Sequence, residues 1–176
     1  MIRKINGVTI ECISGDIAAQ QDITAVVNAA NAQLRTGGGV AGALHRAAGP
    51  GLEIEGRSLA PIKPGQAVIT GGHNLPNQYV IHCLGPVYGV DRPEEQLLAD
   101  CYRNALRLAE ENQIDSIAFP SISTGAFGYP MSDAAEIAIQ TIKTVLPGLK
   151  TLKLIRFVLF GAEALALHEK IIERQL

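Results

Sequence analysis

Ala25-Val26-Val27-Asn28-Ala29-Ala30-Asn31, followed by Ala32-Gln33-Leu34-Arg35 and then Thr36-Gly37-Gly38-Gly39-Val40-Ala41-Gly42, decides how this chain folds. Ala25-Val26-Val27 is short, apolar and β-branched, as a buried strand requires. Residues 40 to 48 read as a helix stopped by Gly49-Pro50. Between them, three consecutive glycines let the backbone turn freely and approach a ligand closely. The helix start beyond them offers unpaired N–H groups and the positive end of a dipole, a combination that suits a phosphate.

The same arrangement recurs later. Residues 116 to 122 read as a strand, and Ser123-Thr124-Gly125-Ala126-Phe127-Gly128 follows directly. Ligands of open α/β sheets bind beyond the carboxyl ends of strands, so two such loops on neighbouring strands would grip a diphosphate from both sides. Neither loop contains lysine, and only Arg35 lies near the first. The anion is therefore expected on backbone amides.

Outward from these loops, Asn6-Gly7 marks a tight hairpin between residues 3 to 5 and 8 to 13. Residues 66 to 70, 79 to 84 and 154 to 160 read as strands. Asp91-Arg92-Pro93-Glu94 reads as a helix start with Asp91 as its cap, and Ser132 as the cap of the next helix, which stops at Pro147-Gly148. A last helix covers residues 162 to 176. Strands that alternate with helices and are apolar on both faces predict a central sheet covered on both sides. The opening hairpin makes that sheet mixed.

The chain has 176 residues, 47% hydrophobic and 18% charged, and reads as one globular domain over residues 1–176. Its net charge of −2 provides no general attraction for nucleic acid. Cys12, Cys83 and Cys101 are widely spaced among apolar neighbours, with no metal-ligand pattern, and read as buried thiols in a reducing compartment. No stretch suits a signal peptide or a membrane span, so the expected location is cytoplasmic.

Taken together, Val27-Asn28-Ala29-Ala30-Asn31, Gly37 to Gly42, His45-Arg46-Ala47-Ala48-Gly49, Gly15-Asp16-Ile17 and Pro120 to Gly128 resemble the macrodomain family. The resemblance runs over nearly the whole chain. It implies an α/β fold, a three-layer α/β/α sandwich with a mixed, mostly parallel central sheet, that binds ADP-ribose and mono-ADP-ribosylated proteins as a monomer. No cofactor or metal is implied. It places adenine selection on Asp16 with the Ile17 backbone beside it, and stacking on Phe160. The distal ribose falls to Asn31. One diphosphate loop is Gly37, Gly38, Gly39 and Val40; the other is Ser123, Thr124, Gly125, Ala126 and Phe127. Asn31, Gly38 and His45 are the candidate catalytic positions, His45 because it stands one helical turn beyond Ala41.

The chain departs from the MacroD-type hydrolases at Ala41, where they carry an Asp thought to help activate water. Some viral macrodomains share the Gly-Gly-Gly-Val-Ala-Gly run, and that group includes weak hydrolases of mono-ADP-ribosylated protein. The acidic run of poly(ADP-ribose) glycohydrolases is lacking. The functions left open are hydrolysis of mono-ADP-ribosyl esters or of O-acetyl-ADP-ribose, a non-catalytic ADP-ribose reader, and, on Gly37-x-Gly39-x-x-Gly42 alone, an NAD-dependent oxidoreductase. Structural roles compete at single residues. Asp16 can cap a turn, Asn28 can tie elements together, Phe160 can sit at the core edge, and His45 can be internal.

Overall fold

The computed structural model describes residues 1–176. Strands β1 (Ile2–Ile5) and β2 (Val8–Ser14) form the opening hairpin. Its turn residues Asn6 and Gly7 both have positive φ, 52° and 79°, the geometry that matches the twist of a two-residue hairpin. Strand β3 (Ala25–Ala29) leads to helix α1 (Gly39–Ala48) and to the short helix α2 (Gly51–Gly56). Then follow β4 (Ala67–Gly71), β5 (Tyr79–Cys83), α3 (Glu94–Glu111), β6 (Ser116–Phe119), α4 (Met131–Val145), β7 (Leu154–Leu159) and α5 (Ala162–Gln175).

The strands form one sheet in the order β1-β2-β7-β6-β3-β5-β4. The inner pairings are parallel, and only the edges, β1 on β2 and β4 on β5, are antiparallel. Side chains of a strand alternate between faces. Accordingly Ala25, Val27, Ile117, Phe119, Ile155 and Phe157 join the larger core under α3, α4 and α5. Val26, Val80, Ala118 and Val158 face the other way, against Leu44, Ala48 and Leu52 of α1 and α2. These two cores make the three-layer sandwich expected from the sequence. No helix is long and apolar enough to cross a membrane.

Several local expectations are corrected. Asp91 does not cap α3; its Oδ2 accepts from the Val87 N–H at 2.8 Å and closes the preceding turn, leaving Pro93 at the cap position. Ser132 already lies inside α4, whose cap position is Pro130, with the Ala134 N–H on the Pro130 carbonyl. Strand β6 ends at Phe119 because Pro120 has no N–H to continue a ladder. Helix α2 escapes a propensity reading because glycine stands at both its ends. The three cysteines are buried and unpaired.

Arg156 on β7 ties the sheet to the segment entering β3. Its guanidinium donates to Glu11 on β2, to Gln20 and, in a bidentate pair, to Asp22, at 2.7 to 2.9 Å. Gln20 in turn donates to the Asp16 carbonyl at 2.8 Å. The clamp therefore fixes the turn that carries Asp16.

Candidate functional site

Four parallel strands, β2, β7, β6 and β3, lie side by side, and the candidate residues leave from their carboxyl ends in that order. Asp16 and Ile17 follow β2, Phe160 follows β7, residues 121 to 127 follow β6, and residues 30 to 41 follow β3. At roughly 4.8 Å per strand the row spans about 14 Å.

At the β6 and β3 end of the row opens a cleft of about 300 Å³. One wall is Asn31, Gly37, Gly38, Gly39, Val40 and Ala41. The other is Ser121, Ile122, Ser123, Gly125, Ala126 and Phe127. Ala29, Ala30 and Gly85 complete it. The structure thus gathers both glycine-rich turns at a single cleft, and no lysine or arginine lines it.

Helix α1 starts without a side-chain cap: Gly38 holds the cap position. The N–H groups of residues 37 to 41 find no acceptor in the protein, and the first bond of the series is Gly42 N–H to the Gly38 carbonyl. On the facing turn the N–H groups of residues 123 to 127 are likewise without a protein acceptor. Such consecutive free amides form anion-binding concavities. Ser123 holds its turn at φ 68°, a conformation a non-glycine residue adopts only where its surroundings impose it. Its buried Oγ has no partner.

Two glycines are required by close approach. A Cβ on Gly42 would stand 2.4 Å from the Gly37 carbonyl oxygen, and one on Gly85 would stand 2.1 Å from Ser123 Oγ. Ala29, Ala30, Ser121 and Ile122 line the cleft from within the stretches quoted above, and Gly85, between Leu84 and Pro86 after β5, lines it from outside all of them. Its signal was a strand ending in Gly-Pro.

Asn31 shapes its own turn. Its Nδ2 donates to the Arg35 carbonyl at 2.7 Å and its Oδ1 accepts from the Arg35 N–H at 2.9 Å. One Nδ2 hydrogen remains. Asp16 Oδ1 accepts from the Ala18 N–H at 2.9 Å, the turn-capping role, while Oδ2 makes no bond. Phe160 is 98% exposed, so it belongs to no core edge. Asp16, Ile17 and Phe160 stand outside the 300 Å³ cleft, along the row toward β2. Thr124 turns inward, its Oγ1 donating to the Ser121 carbonyl at 2.9 Å.

His45 is displaced from its expected place. It is buried, lines no part of the cleft, and its Nε2 has no partner. Its turn of α1 packs toward the sheet, so the residue one turn beyond Ala41 faces inward. Burial holds its imidazole below the ordinary value, opposed by the Glu53 charge. Beneath α1 lies a polar string: Asn28 Nδ2 is 3.0 Å from His82 Nδ1, and His82 Nε2 is 2.9 Å from Thr70 Oγ1. Asn28 thus joins β3 to β5 and β4, the structural role. The Gly37-x-Gly39-x-x-Gly42 run likewise departs from a dinucleotide fingerprint, because β3 ends at Ala29, well before Gly37.

His82 is pushed down to about 3, first by burial and then by repulsion from His45. The native state keeps it neutral while the unfolded chain protonates it below its ordinary value near 6.5. Stability is therefore full above that value and falls as pH drops toward 3. Between about pH 7.5 and about pH 5 the loss from His82 is about 2 kcal/mol, and His45 and His168, both lowered by burial, act in the same direction. Urea unfolding at the two pH values reads this directly, and His82→Gln should flatten the dependence. Equal stability at both would refute it.

The Macro domain family model matches residues 27–138. An O-acetyl-ADP-ribose deacetylase of Klebsiella pneumoniae is 46% identical over 167 residues, covering 92% of this chain and 95% of the relative. The Oceanobacillus iheyensis macrodomain with ADP superposes with a TM-score of 0.94 at 39% identity, covering 99% of this chain and 95% of that one. The Trypanosoma brucei macrodomain in complex with ADP-ribose gives a TM-score of 0.86 at 36% identity, covering 93% of this chain and 68% of that one.

Proposed function

Since this chain belongs to the macro domain family, we propose that it binds ADP-ribose along the row of strand ends and hydrolyses esters carried on the distal ribose. The observation that carries this reading is the pair of turns, residues 37 to 41 and 123 to 127, whose unpartnered amides converge on one cleft.

Adenine sits at the β2 end. The free Oδ2 of Asp16 accepts from its exocyclic amine, the Ile17 N–H serves a ring nitrogen, and Phe160 offers the stacking face. The pyrophosphate lies between Gly37, Gly38, Gly39 and Val40 on one side and Ser123, Thr124, Gly125, Ala126 and Phe127 on the other, held by main-chain dipoles. The distal ribose reaches Asn31, whose remaining Nδ2 hydrogen meets a hydroxyl. Gly38 leaves room beside it for the ester.

With an ester on the anomeric carbon, a water oxygen bonds to that carbon, the ester C–O bond breaks, and a carboxylate leaves with the bonding electrons. With O-acetyl-ADP-ribose the water oxygen adds to the acetyl carbonyl carbon, the bond from that carbon to the ribose oxygen breaks, and the ribose oxygen takes up a proton as it leaves as a hydroxyl. The water proton passes through a substrate phosphate oxygen to solvent. At the anomeric carbon a carboxylate leaving group with a pKa of about 4 needs little acid assistance, and with no base at Ala41 the substrate phosphate oxygen orients the water. The substrates are mono-ADP-ribosyl esters of acidic side chains on proteins, or O-acetyl-ADP-ribose. His45 takes no part, being buried outside the cleft. We read residues 1–176, whose seven strands form one sheet, as a single monomeric macrodomain working in the cytoplasm.

Calorimetry tests the binding reading: free ADP-ribose should bind clearly and NAD much more weakly, and equal or absent binding of both would overturn it. Asn31→Ala should slow release of ADP-ribose from Glu-modified protein by about a hundredfold, the scale of one lost oriented donor, with the fold intact. Unchanged turnover would remove Asn31 from the mechanism. Phe160→Ala should weaken ADP-ribose about tenfold with no change in melting temperature, because the ring stacks on a base and on nothing else. A variant that melts early would place the ring in the core instead.

A second reading, a reader module that binds without turnover, is favoured by one observation, the methyl group of Ala41 at the cleft wall. A null turnover assay at saturating binding selects it.

A further inference from the structure

The strand order also fixes where a modified protein must lie. With the base at the β2 end, the distal ribose points toward β3, and the next strand beyond is β5. The segment leaving β5 starts with Gly85, which lines the cleft, and continues to Tyr88, Gly89 and Val90. Val90 is 72% exposed and Tyr88 is 42% exposed, two of the few large apolar side chains at the surface of this chain.

This segment is held rigid. The Tyr88 N–H donates to the carbonyl of Phe127, a cleft residue, at 2.9 Å, and the Tyr88 ring packs on Tyr129 with centroids 4.8 Å apart. The N–H groups of Val90 and Asp91 both reach the Val87 carbonyl at 3.0 Å. A preordered apolar surface costs little entropy when a partner covers it.

Its surroundings are acidic. Asp91 Oδ2 accepts from the Val87 N–H at 2.8 Å and Glu94 Oε2 from the Gly89 N–H at 3.4 Å, and between Gly85 and Gln96 the chain carries three carboxylates, Asp91, Glu94 and Glu95, against one cation, Arg92. The charges of Glu95, Glu94 and Asp133 add to burial in pushing the Tyr129 hydroxyl up to about 12, which places these carboxylates around the aromatic pair.

We propose that Tyr88 and Val90, with the acidic rim of Glu94 and Glu95, form a docking surface for the polypeptide that carries the ADP-ribose, selecting segments in which lysine or arginine flanks the modified residue. The inference rests on the ADP-ribose reading of the cleft and extends it from the nucleotide to the attached chain. Continuity with the cleft provides the location, and charge complementarity provides the composition of the partner.

Two synthetic peptides carrying ADP-ribose through a hydrolysis-resistant linkage test it, one with lysine and arginine flanks and one with aspartate and glutamate flanks, beside free ADP-ribose. The wild-type chain should bind the basic peptide about tenfold more tightly than the acidic one, a preference that fades with added salt. Val90→Ser should weaken the basic peptide about fivefold and leave free ADP-ribose unchanged. Glu95→Lys should abolish the preference between the peptides. If both peptides bind the wild type as free ADP-ribose does, or if Val90→Ser weakens free ADP-ribose equally, the docking surface is refuted. If free ADP-ribose does not bind the wild type, the reading of the cleft itself falls.

Discussion

Gly42→Ala is expected to lower ADP-ribose affinity at least thirtyfold, about 2 kcal/mol, while the far-ultraviolet circular dichroism stays native. The new methyl would stand 2.4 Å from the Gly37 carbonyl oxygen and 3.0 Å from Arg46 Nη1. The arginine is flexible and moves aside. The carbonyl is backbone, so the turn from Gly37 to Gly39 must shift. That turn orients the free amides of residues 37 to 41, and a shift near an ångström spoils their convergence with the amides of residues 123 to 127. Helix α1 itself tolerates alanine better than glycine, so its content survives. Calorimetry on the variant checks the expectation, and wild-type affinity would mean that this turn does not hold the pyrophosphate.

Arg156→Ala should cost about 3 kcal/mol of stability, read as a drop in melting temperature of about 10 °C for a chain of this size. The guanidinium is nearly buried and satisfies Glu11, Gln20 and Asp22 together. Removing it leaves the Glu11 carboxylate, only 14% exposed, without its counter-charge. Asp22 is far more open, and its share is accordingly small. The hydrogen bond from Arg156 holds the Asp22 carboxyl below the usual carboxylate value. That contribution is present above the ordinary value near 4 and fades as pH falls below it. Adding Glu11→Gln to Arg156→Ala should restore part of the loss, because the unpaired charge goes with it. A melting temperature unchanged in the single variant would mean that the clamp contributes nothing. Since the clamp also secures the Asp16 turn through Gln20, ADP-ribose affinity should fall alongside stability.

The parts of the molecule legible in sequence are those where local chemistry and tertiary structure agree. Asn6-Gly7 dictates a tight hairpin wherever it sits between strand formers. The glycine run before α1 and the small residues after β6 mark both turns of the cleft, since few other residues allow such close backbone approach. Asp91 misled because a side chain able to cap a helix can close a turn equally well, and Ser132 because α4 starts earlier, with Pro130 at the cap position. His45 shows the limit of helical periodicity. The step from Ala41 to His45 locates a face, but that face turns under the helix within one turn of its start. Gly85 shows another limit, because its need for glycine comes from Ser123, a residue distant in the chain that no local pattern links to it.

Recognition built from peptide groups has a consequence for how such a protein changes over time. The atoms that would hold the pyrophosphate are shared by every amino acid, so the identity of a side chain at Ala126 or Val40 matters less than the backbone path through it. Sequence drift at these positions is then limited by conformation, at Gly39 and Ser123 above all, where φ is positive. Specificity for the base and for the attached protein, carried by side chains at the two ends, is free to diverge while the middle of the ligand stays anchored.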